Sequence, residues 1–407
     1  MGASVPCRPL KEYDQLKEAV ILSAARTAVG KYGGSLKNFS APQLGAFAIT
    51  EAVKRATLEP ADIQECMMGI VLSAGTGQNP ARQAALKAGL PVEIGSLNVN
   101  KICGSGLKTV MLAATSVRAG ENDVVVAGGM ESMSAAPYLL MEARFGYRMG
   151  DNKIVDHMVR DGLWDAPTDQ HMGNTGEIVA ERYNVTRQDA DAISYQSHMK
   201  ALAAMKAGKF DEEIFPVMIK SKKEEVAFRQ DEGVRPDISM ESLAKLRPAF
   251  KEGGVVTAGN ASQLSDGAAA VVVASREYAD EHGIKPLATI VDYHTGGTKP
   301  EWIMEAPIPT TRAVLKKAGM TIDDIDLFEH NEAFATASVA VKKELGVPDD
   351  RFNVNGGAIA LGHPIGCSGT RVLTTLLYAL KDRGAHTGLA TLCLGGGNAV
   401  SMIVRRE

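Results

Sequence analysis

The sequence predicts an α/β fold built from a helix-then-strand unit that occurs twice, and three observations carry that reading. Apolar residues at positions 107, 110, 111, 114 and 117 recur at helical spacing directly after Cys103-Gly104-Ser105-Gly106. The β-branched run Val124-Val125-Val126 follows, ending in Gly128-Gly129. The same order returns far downstream: Ser368-Gly369 opens a segment with Leu373, Leu376, Leu377 and Leu380 at helical spacing, and Leu389 to Leu394 then reads as a buried strand ending in Gly395-Gly396-Gly397. A further strand-like run, Ala270-Val271-Val272-Val273 within Gly267 to Ser275, makes the sheets read as buried on both faces. Any α/β protein repeats helix, strand and glycine, so this pattern by itself leaves duplication and coincidence both open.

Between the halves the composition changes. From about Ser134 to Ser262 the chain is richer in charge, Met and polar turns, with Lys220-Ser221-Lys222-Lys223-Glu224-Glu225 in its middle, and it reads as an inserted loop domain or lid. The lysine run is a solvated face on the bland reading and a neighbour for a phosphate group on the sharper one.

The 407 residues, 45% hydrophobic and 23% charged, suffice for two or three domains with a large core. A net charge of -4, from 44 basic and 48 acidic side chains, leaves no electrostatic footprint for nucleic acid or a membrane surface. Cys7, Cys66, Cys103, Cys367 and Cys393 form no CxxC pair or metal-ligand cluster, and their odd number argues against a disulfide framework, so the cytoplasm is the expected compartment and no metal is expected. No apolar run has membrane-spanning length, and Glu12, Asp14 and Glu18 spoil a signal or transit pattern. Met1-Gly2 lacks the Ser or Thr of a myristoylation signal, Pro6 standing there, and Arg405-Arg406-Glu407 is no peroxisomal address.

Cys103 is the preferred nucleophile. A cysteine at a helix start is favoured as thiolate by the partial positive charge and free N–H groups there, and Gly104 and Gly106 would let a thioester lie against the backbone. The competing reading is a buried structural cysteine. His363, in the rigid loop Asn355-Gly356-Gly357-Ala358-Ile359-Ala360-Leu361-Gly362-His363-Pro364, offers the imidazole that activates a thiol near neutral pH, against the reading of a merely solvated loop histidine. Cys393, at the end of a buried strand, suits a general acid/base. Asn331 follows the strand-like Ile325 to Phe328, where its amide would hold a water or an oxyanion, or simply form a turn.

Taken together, Asn100-Lys101-Ile102-Cys103-Gly104-Ser105-Gly106, Asn331-Glu332-Ala333-Phe334-Ala335, Gly356-Gly357-Ala358-Ile359-Ala360-Leu361-Gly362-His363-Pro364 and Cys393-Leu394-Gly395-Gly396-Gly397 resemble the motifs of the thiolases, in order and over nearly the whole chain from about Glu18. The resemblance implies two similar α/β halves in five layers: residues 18–133 completed by 263–284, a loop domain over the coenzyme A cleft at 134–262, and a second half at 285–407. It implies ping-pong acyl transfer between acetyl-CoA, acetoacetyl-CoA and CoA, these thioesters being substrates, with no cofactor. Cys103 would carry the acetyl group, His363 and Cys393 would move protons, and Asn331 and the Gly395 N–H would stabilise oxyanions.

Within the family the chain resembles the short-chain, acetoacetyl-CoA branch. His171 and Met172 match the residues that crowd the acyl pocket, and Arg144 to Gly150 resembles the loop that joins dimers into a homotetramer. Carried over by position, Arg235, Ser242, Leu246, Ala258, Ser262 and Phe334 would line the pantetheine and nucleotide path. Departures are His330 before Asn331, for which strand alternation implies a structural place, Asn398-Ala399, Ile303 where short-chain relatives often have Met, and the segment Met1 to about Lys17. Two other readings stand beside this one: a broader-chain 3-ketoacyl-CoA thiolase using the same residues, and a non-catalytic acyl-CoA-binding scaffold. Decarboxylating ketoacyl synthases share the architecture, but their second histidine motif is not visible.

Overall fold

The computed structural model describes residues 16–220 and 224–407. Residues 1–15, with Pro6 and Cys7, and Ser221-Lys222-Lys223 of the lysine run lie outside the described residues.

The strands that organise the fold are β1 (Ala19–Thr27), β2 (Glu65–Gly69), β3 (Gly95–Val99), β4 (Val124–Ser132), β5 (Ser265–Ser275), β6 (Ala288–Gly297), β7 (Leu327–His330), β8 (Thr387–Leu394) and β9 (Asn398–Arg406). They run in the order β3-β2-β4-β5-β1-β6-β9-β8-β7, with two short strands pairing off this path. Each half repeats one pattern. In the first, β4 pairs parallel with β2 and antiparallel with β5, which pairs antiparallel with β1. In the second, β8 pairs parallel with β7 and antiparallel with β9, which pairs antiparallel with β6. The halves meet where Val20 and Ile21 pair with Thr289 and Ala288.

The helices used below are α1 (Ala41–Arg55), α2 (Ser105–Arg118), α3 (Met172–Tyr183), α4 (Arg187–Lys206), α5 (Pro307–Ala318), α6 (Ala335–Leu345) and α7 (Ser368–Arg383). Strand alternation sorts the side chains into layers. Val124 and Val126 face outward to Leu44, Ala48 and Ile49 of α1, whereas Val125 and Ala127 face inward to Leu107, Val110, Met111 and Ala114 of α2 and to Leu373 and Leu376 of α7. On the far side of the second sheet, Phe328, Leu389 and Ile403 pack on Val314 of α5 and Val341 of α6. The result is helix, sheet, paired central helices, sheet, helix. Burial on both faces is why the strands are continuous apolar runs.

The strand read as stopping at Gly128-Gly129 continues to Ser132, because both glycines stay in the ladder opposite Ala270 and Ala269. Ladder hydrogen bonds in a buried sheet outweigh the low strand propensity of glycine. The central segment is also more helical than a loop domain suggests: α3 and α4 lie in it, and both pack on α6. No helix among the described residues is long and apolar enough to cross a membrane.

The two central helices cross at their first turns. A Cβ on Gly106 would come within 2.6 Å of Thr370 Oγ1, and one on Gly369 within 2.2 Å of Leu107 N. Glycine is needed there for backbone contact, not for ligand approach, and this contact brings the residues before α2 and α7, including Cys103 and His363, to one place.

Candidate active site

Cys103 stands two residues before the first residue of α2, in a turn that the chain holds under strain. Ile102 has φ +48°, a left-handed conformation that β-branched side chains avoid. The turn persists because its polar groups are over-determined: Asn100 Oδ1 accepts from Ile102 N at 3.1 Å, Lys101 N donates to Ser105 Oγ at 2.8 Å, and Ser105 Oγ donates to the Ile102 carbonyl at 2.7 Å. Cys103 is half-buried, and its ionisation differs from the sequence expectation. Burial in apolar surroundings, with Cys393 beside it, pushes its pKa up. A helix end acts within one turn and contributes about 0.3–1 kcal/mol at exposed sites, less than the desolvation of a thiolate in a closed cleft.

His363 follows Gly362, whose φ of +106° is open to glycine, and whose Cβ would collide with Ser265 Oγ at 2.4 Å. The His363 N–H is held by Gln263 O and Ser265 Oγ, each at 3.1 Å. Its Nδ1 lies 2.5 Å from Ser368 Oγ, while that hydroxyl gives its proton to the Pro364 carbonyl at 2.8 Å. A hydroxyl has one proton, so Nδ1 must be the protonated nitrogen and Nε2 carries the lone pair. Nε2 is 3.5 Å from Nδ2 of Asn331, which is itself tied to the sheet by Asn331 N to Thr391 O at 3.0 Å. Burial, reinforced by Arg371, pushes the His363 pKa down to about 3.

Cys393 stands next to last in β8 with its Sγ 3.6 Å from Met304 Sδ, and burial pushes its pKa up to about 12. At rest the three groups are therefore two neutral thiols and a neutral imidazole. They line one cleft with Gly162, Leu163, Met172, Ser262, Ile303, Met304, Ala333, Phe334, Ile365, Leu394 and Gly395.

The structure thus brings Cys103, His363, Cys393, Gly395, Met172, Ser262 and Phe334 around one space, with Asn331 reaching it through His363. His171 stands just behind: it caps α3 by accepting from Gly173 N at 3.0 Å and stacks on Phe250 at 4.8 Å, which in turn meets Phe334 edge-on. Arg235, Ser242 and Ala258 are exposed and lie outside this lining, and Ser242 closes the capping box of the short helix Met240–Ala244. Leu246 is half-buried against Gly259, beside Ala258.

Two buried carboxylates that sequence reasoning passed over lock the loops. Glu131 accepts from Gly366 N at 2.8 Å and from Val71 N and Leu72 N at 3.1 Å, joining the His363 loop to the segment that follows β2. Burial raises its pKa to about 7. Glu332 accepts from Ser197 Oγ at 2.6 Å and Asn353 Nδ2 at 2.8 Å. The available signal was a charged residue at the end of an apolar strand, Gly128-Gly129-Met130-Glu131.

His330 lies outside the cleft. It is fully buried, stacks on Phe352 at 5.9 Å, and places Nδ1 3.1 Å from Ser338 Oγ. Burial pushes its pKa down to about 3. An unfolded imidazole titrates near 6.5, so as pH falls below that value the unfolded chain binds a proton that the fold refuses. Stability then falls by about 1.4 kcal/mol per pH unit until the folded pKa is reached. His198 and His363 shift in the same direction. His330→Ala is expected to flatten, not abolish, the loss of urea stability between pH 7 and pH 5, and to leave kcat within roughly threefold. A fall in kcat matching that of His363→Ala would put His330 in the active site.

Comparison with known proteins covers the whole arrangement. The profile of the "Thiolase, N-terminal domain" matches residues 19–277, and that of the "Thiolase, C-terminal domain" matches residues 284–406. The chain is 53% identical over 393 residues to the acetyl-CoA acetyltransferase of Cupriavidus necator, and 50% identical over 392 residues to that of Escherichia coli K12; each alignment covers 96% of this chain and 100% of the relative. The crystal structure of the Bacillus anthracis acetyl-CoA acetyltransferase superposes with a TM-score of 0.95 at 41% identity, covering 97% of this chain and 100% of that one.

Proposed function

The chain belongs to the thiolase family, and on that premise we propose that it is an acetyl-CoA C-acetyltransferase, condensing two acetyl-CoA to acetoacetyl-CoA and CoA and running the reverse thiolysis. The observation that carries the site assignment is the convergence of Cys103, His363 and Cys393 on one apolar cleft.

In the first half-reaction, Nε2 of His363 takes the Cys103 proton as Sγ attacks the acetyl carbonyl. The imidazolium returns that proton to the departing CoA sulfur, and the acetyl group stays on Cys103 as a thioester. In the second, His363 takes the proton of Cys393, and the Cys393 thiolate removes a proton from the α-carbon of a second acetyl-CoA. The enolate oxygen rests against the imidazolium and a water held by Asn331. The enolate carbon attacks the acetyl-enzyme, whose oxyanion is met by the Cys103 and Gly395 N–H groups. Cys103 leaves as thiolate and recovers its proton from His363, so all three groups return to their starting states. We propose no cofactor, since these side chains and the substrates account for every proton and electron pair.

Neutral resting groups suit this cycle. A permanent thiolate or imidazolium would be costly in an apolar cleft, whereas a transient pair of opposite charges offsets much of that cost. The low basicity of buried His363 also makes its imidazolium a strong acid, ready to protonate a leaving thiolate.

Met172, Met304, Ile303 and Leu163 line the cleft beside Cys103 and Cys393, and this apolar crowding supports a short-chain substrate. Each methylene the pocket rejects is worth about 1–3 kcal/mol of discrimination. In CoA-dependent cleavage, kcat/KM for acetoacetyl-CoA is expected to exceed that for 3-ketohexanoyl-CoA by roughly tenfold or more, and that for 3-ketodecanoyl-CoA by a wider margin. Equal use of the longer substrates would place the protein in the broad-chain branch, and no turnover would favour a scaffold. We further propose that it works in the cytoplasm as a homotetramer, supported by the exposure of Phe145 (89%) and Met149 (97%) on the Arg144 to Gly150 loop. Sedimentation at micromolar concentration reads that state.

A further inference from the structure

Trp302 lies within reach of two cations. The Arg182 guanidinium carbon stands 3.8 Å from the Trp302 ring centroid and Lys299 Nζ 4.5 Å from it. Arg182 also holds Glu305, donating from Nε to Oε2 at 2.8 Å and from Nη2 to Oε1 at 3.4 Å. One arginine near the end of α3 thus grips the segment Pro300–Glu305 at Trp302 and at Glu305. The opposite end of α3 begins with Met172, in the cleft wall. At its start the segment is tied to the glycine loop that follows Cys393, through Thr298 N to Gly397 O at 2.7 Å.

The residues between those grips are Ile303 and Met304, both buried and both lining the cleft. Trp302 itself is half-buried and outside the lining. Its φ of -106° and ψ of 31° break the helical path, so the segment is two short turns joined at a kink. Short 3₁₀ turns have poor hydrogen-bond geometry and do not hold their own shape. Methionine is an unbranched, adaptable side chain, so Met304 makes a firm wall only if its backbone is fixed. Side chains outside the cleft must supply that fixity, and Arg182, Trp302 and Lys299 are the groups placed to do so.

We propose that the Arg182–Trp302–Lys299 cluster is a positioning device that sets the acyl-chain limit, holding Ile303 and Met304 against Cys393 so that a chain longer than acetoacetyl meets an unyielding wall. The proposal rests on the thiolase reading above and extends it to residues that touch no substrate. Loosening the clamp should change the ratio between substrates more than it changes the chemistry of the smallest one.

The test compares kcat/KM for acetoacetyl-CoA and 3-ketohexanoyl-CoA in the wild type, Trp302→Ala, Trp302→Phe and Arg182→Gln. In Trp302→Ala the ratio of longer to shorter substrate is expected to rise about tenfold, with kcat on acetoacetyl-CoA within a few-fold of wild type. Arg182→Gln should move the ratio the same way by less, and Trp302→Phe, which keeps an aromatic face, should restore most of it. If both substrates lose activity together and the ratio stays constant, Trp302 is only structural and the proposal fails. Should Trp302→Ala not fold, Arg182→Gln against wild type decides by the same ratio. A readout free of turnover is alkylation of Cys103 by iodoacetamide against its N-butyl homologue, followed by peptide mass. The clamp predicts a gain for the butyl reagent in the loosened variants, and no gain would overturn it. A wild type that cleaves neither thioester would refute the activity reading while leaving this alkylation ratio to decide the clamp.

Discussion

Cys103→Ala is expected to remove acetyl-enzyme formation altogether and to lower condensation and thiolysis by roughly 10⁴-fold or more. The magnitude follows from the loss of the covalent intermediate: without Sγ the cleft still binds the thioester, but nothing can store the acetyl group while CoA departs. The substitution is mild for the fold, because Cys103 is half-buried and the turn that carries it is held by Asn100, Lys101, Ile102 and Ser105. Wild-type thermal stability with lost turnover is therefore the expected pair of results. Intact mass after mixing with acetyl-CoA checks the assignment directly. An acetyl adduct persisting on the alanine variant would mean that another side chain is the nucleophile, and Cys393 would be the first to examine.

Cys393→Ala separates the two half-reactions. Cys103 and His363 remain, so the acetyl-enzyme should still form, whereas loss of the base that deprotonates the α-carbon is expected to reduce condensation by about 10²–10⁴-fold. Exchange of the acetyl-CoA methyl protons with deuterated solvent, followed by NMR, should vanish in parallel. Cys393 is buried and contacts Met304, so the small void left behind costs some stability, and acylation serves as the control that the cleft survives. Condensation near the wild-type rate would remove Cys393 from the mechanism. Failure to acylate in a variant that keeps wild-type thermal stability would show that it assists the first half-reaction instead.

Much of the architecture was legible because burial on two faces leaves a plain signature. Val124 to Ala127 and Ala270 to Val273 are continuous apolar runs since both sheets are covered on both sides, and the helices before β4 and β8 announce themselves by their apolar spacing. The reactive groups were visible for a related reason: Cys103, His363 and Cys393 stand where such runs break into glycine. Several features stayed hidden. Gly104 and Gly106 read as ligand-facing, yet Gly104 faces Leu394 and Val400, and Gly106 faces Thr370 of the opposite central helix. Glu131 and Glu332 read as ordinary charges until their N–H and hydroxyl partners, contributed from distant stretches, are in place. The Trp302 clamp joins positions 182, 299, 302 and 305, and no local pattern links the first of these to the rest.

Side-chain type and periodicity over a few residues were enough to name the residues that can do chemistry, the central helix and buried strands of each half, and the glycines beside the nucleophile and proton carriers. Their working state came from the folded packing. Whether Cys103 is thiol or thiolate, which nitrogen of His363 is basic, and how long an acyl chain the cleft admits depend on desolvation, on Ser368, and on Met304 held against Cys393. The Ser368 contact spans five positions and the Met304–Cys393 contact 89, and together with the desolvation of Cys103 they exist only once the two central helices cross and the halves close on each other.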